Sequence, residues 1–245
     1  MSRDLLRERA RAAIREQVAS GRLKPGAQIV EATLATEIGV SRSPVREALR
    51  ELEREGVVVS HPNRGCFVVE LGPEDAEEIV ILRAGLEGLA ARLAVEHMSR
   101  HDLRALGAIV QRMERTATDS PVDRARFLEA DHEFHSEVVR FSGHGRLVRQ
   151  WKSLDPLVWL LNIRSQWGEE ERDPKHFEKV SREHWELVDA LSAGDPEAAQ
   201  RAVWEHIVRR APVDPYRHLG GLPAAIHAHP RLASAASARQ REGGR

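Results

Sequence analysis

Four side chains of metal-ligating type fall at positions that helical geometry can gather. Asp131 and His135 stand four apart in a helical stretch, so one face presents both. His184 and His206 each lie 11 positions from Asp195, where Asp195-Pro196 marks a helix start. Two helices meeting there antiparallel bring the two imidazoles level. One carboxylate and three imidazoles inside a bundle suit a divalent transition metal, zinc first, with nickel or manganese as alternatives. A single histidine on an amphipathic helix is more often hydrogen-bonded or half-exposed than a ligand. His97, His101, His132, His144 and His176 keep that reading.

A second group of residues suits a different chemistry. In GVSRSPVREALRELEREG (39–56), Val45, Leu49 and Leu52 mark one face of an amphipathic helix. Ser41 or Ser43 can cap its start, and Pro44 sits in the first turn, where a missing N–H costs little. Arg42, Arg46 and Arg50 turn away from the apolar face. Arginine pairs bidentately with guanine O6 and N7, while hydroxyls and the helix N-terminus hold phosphate. Arginines on an exposed face are usually only solvated, so the neighbouring elements must decide.

Those elements favour a DNA reader. EATLATEI (31–38) is a short helix with Leu34 and Ile38 as its apolar positions, and Gly39-Val40 makes the turn to the arginine-bearing helix. Val57–Val59 and Cys66–Val69 are β-branched runs separated by HPNRG, a hairpin signal. With a first helix over 4–19, carrying Leu5, Leu6, Ala10, Ala13, Ile14 and Val18, residues 1–70 read as a winged helix-turn-helix. Leu71-Gly72-Pro73 closes the domain. Residues 71–211 read as an all-α antiparallel bundle, with a first helix through Ile79–Leu93 and further helices near 100–117, 122–141, 145–165, 175–193 and 196–210. Ile79, Leu82, Leu86, Leu89 and Leu93 form the packing seam of its first helix. Trp151, Trp159, Trp185 and Trp204 read as core. Residues 212–245, rich in Pro, Gly, Ala and Arg, read as a mobile tail. The fold class is thus mainly α.

Composition narrows the partners. The formal net charge is −1 with 31% charged residues, which argues against non-specific coating of nucleic acid. Residues 1–70 hold 12 Lys/Arg against 10 Asp/Glu, so the arginines act by placement, and two modules are expected to cooperate. The single cysteine, Cys66, cannot form an internal disulfide. No apolar run reaches membrane-span length and no signal-peptide core opens the chain, so a cytoplasmic protein is expected.

LKPG, EATLATEIGVSRSPVREALRELEREG and NRGCFV together resemble the N-terminal domain of GntR-type bacterial transcription regulators. The resemblance implies that DNA is contacted by Ser41, Arg42, Ser43, Pro44, Val45, Arg46 and Arg50 of the reading helix. Arg64 and Gly65 would act from the wing. Relatives commonly carry a DNA-contacting arginine after Glu31, whereas Ala32 stands here and that contact is lost. Residues 73–210 resemble the FCD effector domain of the FadR-like branch. LRAGLEGLAARLA contains the early Arg83 and Glu87, DHEFH holds Asp131 and His135, EHWELVDAL holds His184, and His206 lies in the last helix. The usual Ser-Gly-Asn reads Ser142-Gly143-His144, a change at a turn. The resemblance implies a metal on the four ligands and a small carboxylate-bearing effector completing its coordination. Arg83 either pairs with Glu87 on the surface or grips the effector, and the resemblance favours the second. Arg164 is a further candidate for that grip.

The expected function is a ligand-responsive regulator acting as a homodimer on a palindromic operator, with repression as the default. The alternatives are a metal-responsive regulator with the ion as signal, a purely structural metal, and a metalloenzyme with a DNA-binding module. No further base is fixed by spacing, which weighs against the enzyme.

Overall fold

The computed structural model describes residues 2–119, 122–165 and 174–210, with the backbone alone at 163–165 and 174. The segment 212–245, expected to be a mobile tail, lies outside the described residues. Helix α1 (Arg3–Ala19) starts at Ser2, whose hydroxyl accepts from the Leu5 amide. Strand β1 (Gln28–Ile29) leads into α2 (Glu31–Ile38), which Gly39 ends in the left-handed conformation at φ 68°. Helix α3 (Arg42–Arg54) follows, then β2 (Val58–His61) and β3 (Gly65–Val68).

The sheet runs β1-β3-β2, all antiparallel, with Ile29 opposite Cys66 and Val59 opposite Phe67. Two residues are too short a run for periodicity to reveal, so β1 is an addition to the expected hairpin. The tight β2–β3 turn places Asn63 at φ 62° and Gly65 at φ 95°, which their residue types tolerate.

The helical domain comprises α4 (Pro73–Val95), α5 (Arg100–Ala117), α6 (Arg124–Phe141), α7 (Gly145–Ser165), α8 (Pro174–Ser192) and α9 (Pro196–Arg209). Its helix starts are written locally. Ser99 and Asp102 form a reciprocal capping box before α5, Asp123 accepts from the Arg126 amide, and Asp195 accepts from the Ala198 amide with Pro196 next.

The expected seam of α4 needs correction. Only Ile79 of that set is buried, while Leu82 and Leu89 are 53% and 41% exposed. The buried face instead carries Ala76, Val80, Ala84, Gly88, Ala90, Ala91 and Ala94, with the carboxylate of Glu87 among them. A helix apolar nearly all round gives periodicity no preferred face, and small residues let neighbouring helices come closest. A Cβ on Gly88 would meet the backbone oxygen of Gln200 on α9 at 3.3 Å. Leu5 of α1, read as apolar support, is also exposed.

The two domains share packing. Leu71, Ala76, Ile79, Leu160 and Leu161 belong to the same buried cluster as Ile14, Val45, Leu52 and Val57. Helix α7 therefore serves both: Trp151 packs with Ala90, Val139 and Leu147, whereas Leu157, Trp159, Leu160 and Leu161 join the N-terminal core.

Candidate functional site

Helices α6, α8 and α9 bring the expected metal-ligating residues together in the interior. Asp131, His135, His184 and His206 are all buried. The ring centroids of His184 and His206 are 4.6 Å apart, and His135 lies 5.3 and 5.4 Å from them. Each of the three histidines offers a nitrogen within 4.8 Å of the others. Asp131 is not part of that closest group. Its Oδ1 accepts from Arg210 Nη1 at 2.8 Å and lies 3.4 Å from His184 Nε2.

The outer nitrogens are fixed by partners. His135 Nδ1 lies 2.6 Å from Glu87 Oε2, and His184 Nδ1 lies 2.8 Å from the Val180 carbonyl oxygen, so each Nδ1 carries the proton. Their Nε2 atoms then face each other as lone pairs across 3.3 Å. His206 Nε2 is buried without a hydrogen-bond partner among the described residues. Lone pairs facing inward and an orphaned ring nitrogen are an unfavourable arrangement that a cation resolves. The donor set fits a divalent transition metal held by His135, His184 and His206, with Asp131 beside them.

Burial keeps His184 and His206 neutral. It drives His184 down to about 3, against an upward pull from Asp131. His206 is depressed by burial first, then by repulsion against a proton on His184 and against the Arg210 guanidinium. Neutral imidazoles are the ligating form. Burial would raise the Asp131 carboxyl, but Arg210, His184 and His135 hold it well below its usual range.

Glu87 ties the site to its surroundings. Its Oε1 accepts from Arg83 Nε at 2.7 Å and from Trp151 Nε1 at 2.8 Å, while Oε2 faces His135. Burial works against the charge, yet Arg83 and His135 bring Glu87 down to about 2. An exposed Arg–Glu pair at this spacing contributes only about 0.3–0.5 kcal/mol. Arg83 does pair with Glu87, but the Glu87 side chain is 1% exposed and that of Arg83 16%, so the pair is buried and not a surface contact. Arg83 braces a buried carboxylate at the edge of the site. The side chain of Arg164 lies outside the described residues. The sequence places Trp151 in the core, where it lies, but gives no sign of its bond to Glu87, and it does not single out Arg210. Arg210 stands four residues after His206, the one spacing signal that marks it.

The second candidate surface is α3 with the wing. Arg42, Arg46, Arg50 and Arg64 are exposed, as are Ser41, Ser43 and Gly65. Val45 and Pro44 are buried, which corrects their inclusion among the DNA contacts: they seat α3 on the core. Ser41 occupies the cap position, but its hydroxyl makes no cap hydrogen bond, contrary to expectation. Ser43 Oγ lies 3.5 Å from Glu47 instead. Arg46 Nε donates to Glu31 Oε2 at 2.6 Å, which steers the guanidinium along the surface between α2 and α3. In the wing, Gln28 Nε2 donates to the Arg64 carbonyl at 2.7 Å, and the Arg64 guanidinium lies 5.8 Å from the Phe67 ring centroid.

Known proteins resemble this chain in sequence and in fold. Residues 6–68 match the model of the bacterial regulatory proteins of the gntR family, and residues 78–209 match that of the FCD domain. A relative from Paenarthrobacter nicotinovorans, named "Probable D-xylose utilization operon transcriptional repressor", is 34% identical over 213 residues, 86% of this chain and 89% of that protein. The gluconate operon transcriptional repressor of Bacillus subtilis (strain 168) is 28% identical over 185 residues, 74% of each chain. Among solved structures, E. coli McbR/YncC superposes with a TM-score of 0.69 at 24% identity, over 85% of this chain and 95% of that one, and so shares the fold. No helix of the described residues is long and apolar enough to cross a membrane. With both domains matched and a relative of this similarity over most of its length, the chain belongs to the GntR family as an FCD-domain member and is a DNA-binding transcription regulator.

Proposed function

We propose that this regulator is a repressor whose operator affinity is set by a small carboxylate-bearing effector bound at a divalent metal in the helical domain. The observation carrying this reading is His206 Nε2, buried and unpaired beside two inward-facing imidazoles. The ion, zinc by preference over nickel or manganese, supplies positive charge and open coordination positions for a carboxylate. His135, His184 and His206 bind it as neutral imidazoles and Asp131 offers the anionic ligand. Glu87 holds the His135 ring in its ligating orientation, and Arg83 brings a second positive charge to the effector's side of the pocket.

Helix α7 is the route outward. Trp151 donates to the same Glu87 that faces His135, and about two turns later on the same helix Leu157 and Trp159 rest against the DNA-reading domain. Leu157 abuts Gly56, and Arg15 lies 4.5 Å from the Trp159 ring centroid. An effector that favours one setting of α7 shifts the reading domains only as far as it binds the two settings unequally. On the DNA side, Arg42 and Arg46 read base edges, Ser41, Ser43 and Arg50 hold phosphates, and Arg64 and Gly65 contact DNA from the wing. The uncapped first turn of α3 leaves N–H groups for a phosphate. Leu82 and Leu89, seven apart on the outer face of α4, are covered by a second copy, which gives the two-fold arrangement that a palindromic operator needs. Cytoplasmic location accords with DNA as the partner.

The test begins with chelator-treated full-length protein. Zinc is expected to raise its melting temperature, with no rise in His206→Ala. Organic acids are then screened for a change in operator affinity of the zinc-loaded protein. Full zinc occupancy in His206→Ala would remove the ligand set. A change in operator affinity with zinc alone would make the ion the signal.

A further inference from the structure

The imidazole site already contains a cation of the chain's own. Arg210 follows the last residue of α9, one helical turn beyond His206, and its Nη1 donates to Asp131 Oδ1 at 2.8 Å. That oxygen is also the one that lies 3.4 Å from His184 Nε2. Asp131 is 6% exposed at its side chain and Arg210 27%, so the guanidinium reaches inward from the surface end of α9. Three imidazoles gather on one point, but the fourth expected ligand is engaged by the arginine.

We propose that Arg210 is the counter-cation of the ion-free site and is displaced from Asp131 when a divalent cation binds, so that Arg210 sets the site's affinity. This rests on the metal-site reading above. Of the two Asp131 oxygens, Oδ1 is the one near the imidazoles, and ligation through it at about 2.0–2.2 Å sets the ion against the guanidinium that already holds that oxygen. A dication and a guanidinium sharing one buried carboxylate also repel each other strongly. Ligation through Oδ1 therefore competes with the Arg210–Asp131 ion pair, whose energy is subtracted from the affinity. The ion-free protein gains from the same pair, because without it a buried carboxylate stands uncompensated among neutral rings. Arg210 thus moves two observables in opposite directions: it stabilises the ion-free fold and weakens ion binding. An arginine that merely supports the ligands would strengthen both.

The experiment is a competition titration of zinc against a chromogenic chelator, using the full chain after chelator treatment, with melting temperatures recorded in parallel. Arg210→Gln is expected to bind zinc about tenfold tighter than the unaltered protein and to melt lower without zinc. Arg210→Lys keeps the charge but loses the planar fork, and is expected to tighten binding about threefold. It carries the test if the glutamine variant does not fold. Zinc binding that is equal or weaker in the folded variants overturns the role of Arg210 while leaving the metal site standing. Failure of the unaltered chain to bind zinc overturns both.

Discussion

The reading surface and the imidazole site use charged and polar side chains under opposite conditions. On α3, Arg42, Arg46 and Arg50 stand in solvent, and the residues that hold the helix in place are different ones, Val45, Ala48, Leu49 and Leu52. In the helical domain the candidate ligands and their partner are themselves the interior: Glu87, His135 and His184 are among the largest fully buried side chains. Recognition and stability are therefore separable in the first region and bound together in the second. A solvated arginine can be exchanged at little cost to the fold, whereas each buried polar group has partners that its removal strands.

The sharpest way to break that contrast is Glu87→Ala. It strands Arg83, His135 and Trp151 together, and loss of one partner of a buried ion pair costs about 3–5 kcal/mol. A large fall in melting temperature is expected, and a fall of only a degree or two would mean the site is not integral to the core. Next comes the outer face of α4. Leu82→Glu combined with Leu89→Glu is expected to yield monomers in sedimentation and to weaken operator binding about a hundredfold by uncoupling the two half-sites. An unchanged dimer would place the interface elsewhere. The smallest effect on the fold belongs to Arg46→Ala: stability should stay within about 0.5 kcal/mol. Its specific operator binding should fall about tenfold or more, read by fluorescence anisotropy against a scrambled duplex. Equal loss on both duplexes would assign Arg46 to phosphate.

The same contrast explains what was legible in the sequence. The α2–α3 unit, its Gly39 turn and the wing turn at Asn63-Arg64-Gly65 are encoded within a few residues, so local chemistry suffices. Helix starts at Ser99, Asp123 and Asp195 are equally local. His184 and His206 were readable because an antiparallel pair folds symmetrically about its turn. What escaped depends on packing. The buried face of α4 could not be chosen among leucines and alanines, since both faces are apolar. Trp151 reaches Glu87 across 64 positions of sequence, and Arg210 reaches Asp131 across 79, so no spacing rule connects them. Val45 belongs both to the DNA contacts that the resemblance implies and to the apolar face that the periodicity marks, and its full burial decides for the apolar face.

Gly88 touches no ligand, yet it governs how near α9 lies to α4. Its missing methyl lets the Gln200 carbonyl oxygen come within 3.3 Å of where that carbon would be, two turns before His206 on the same helix. Since α4 also carries Glu87, and through it the setting of His135, the width of the cage between those two rings is gauged by a residue with no side chain. The spacing between α4 and the imidazole-bearing α9 is thus a backbone property, set by a single carbon atom that Gly88 lacks, well away from the buried ring nitrogens.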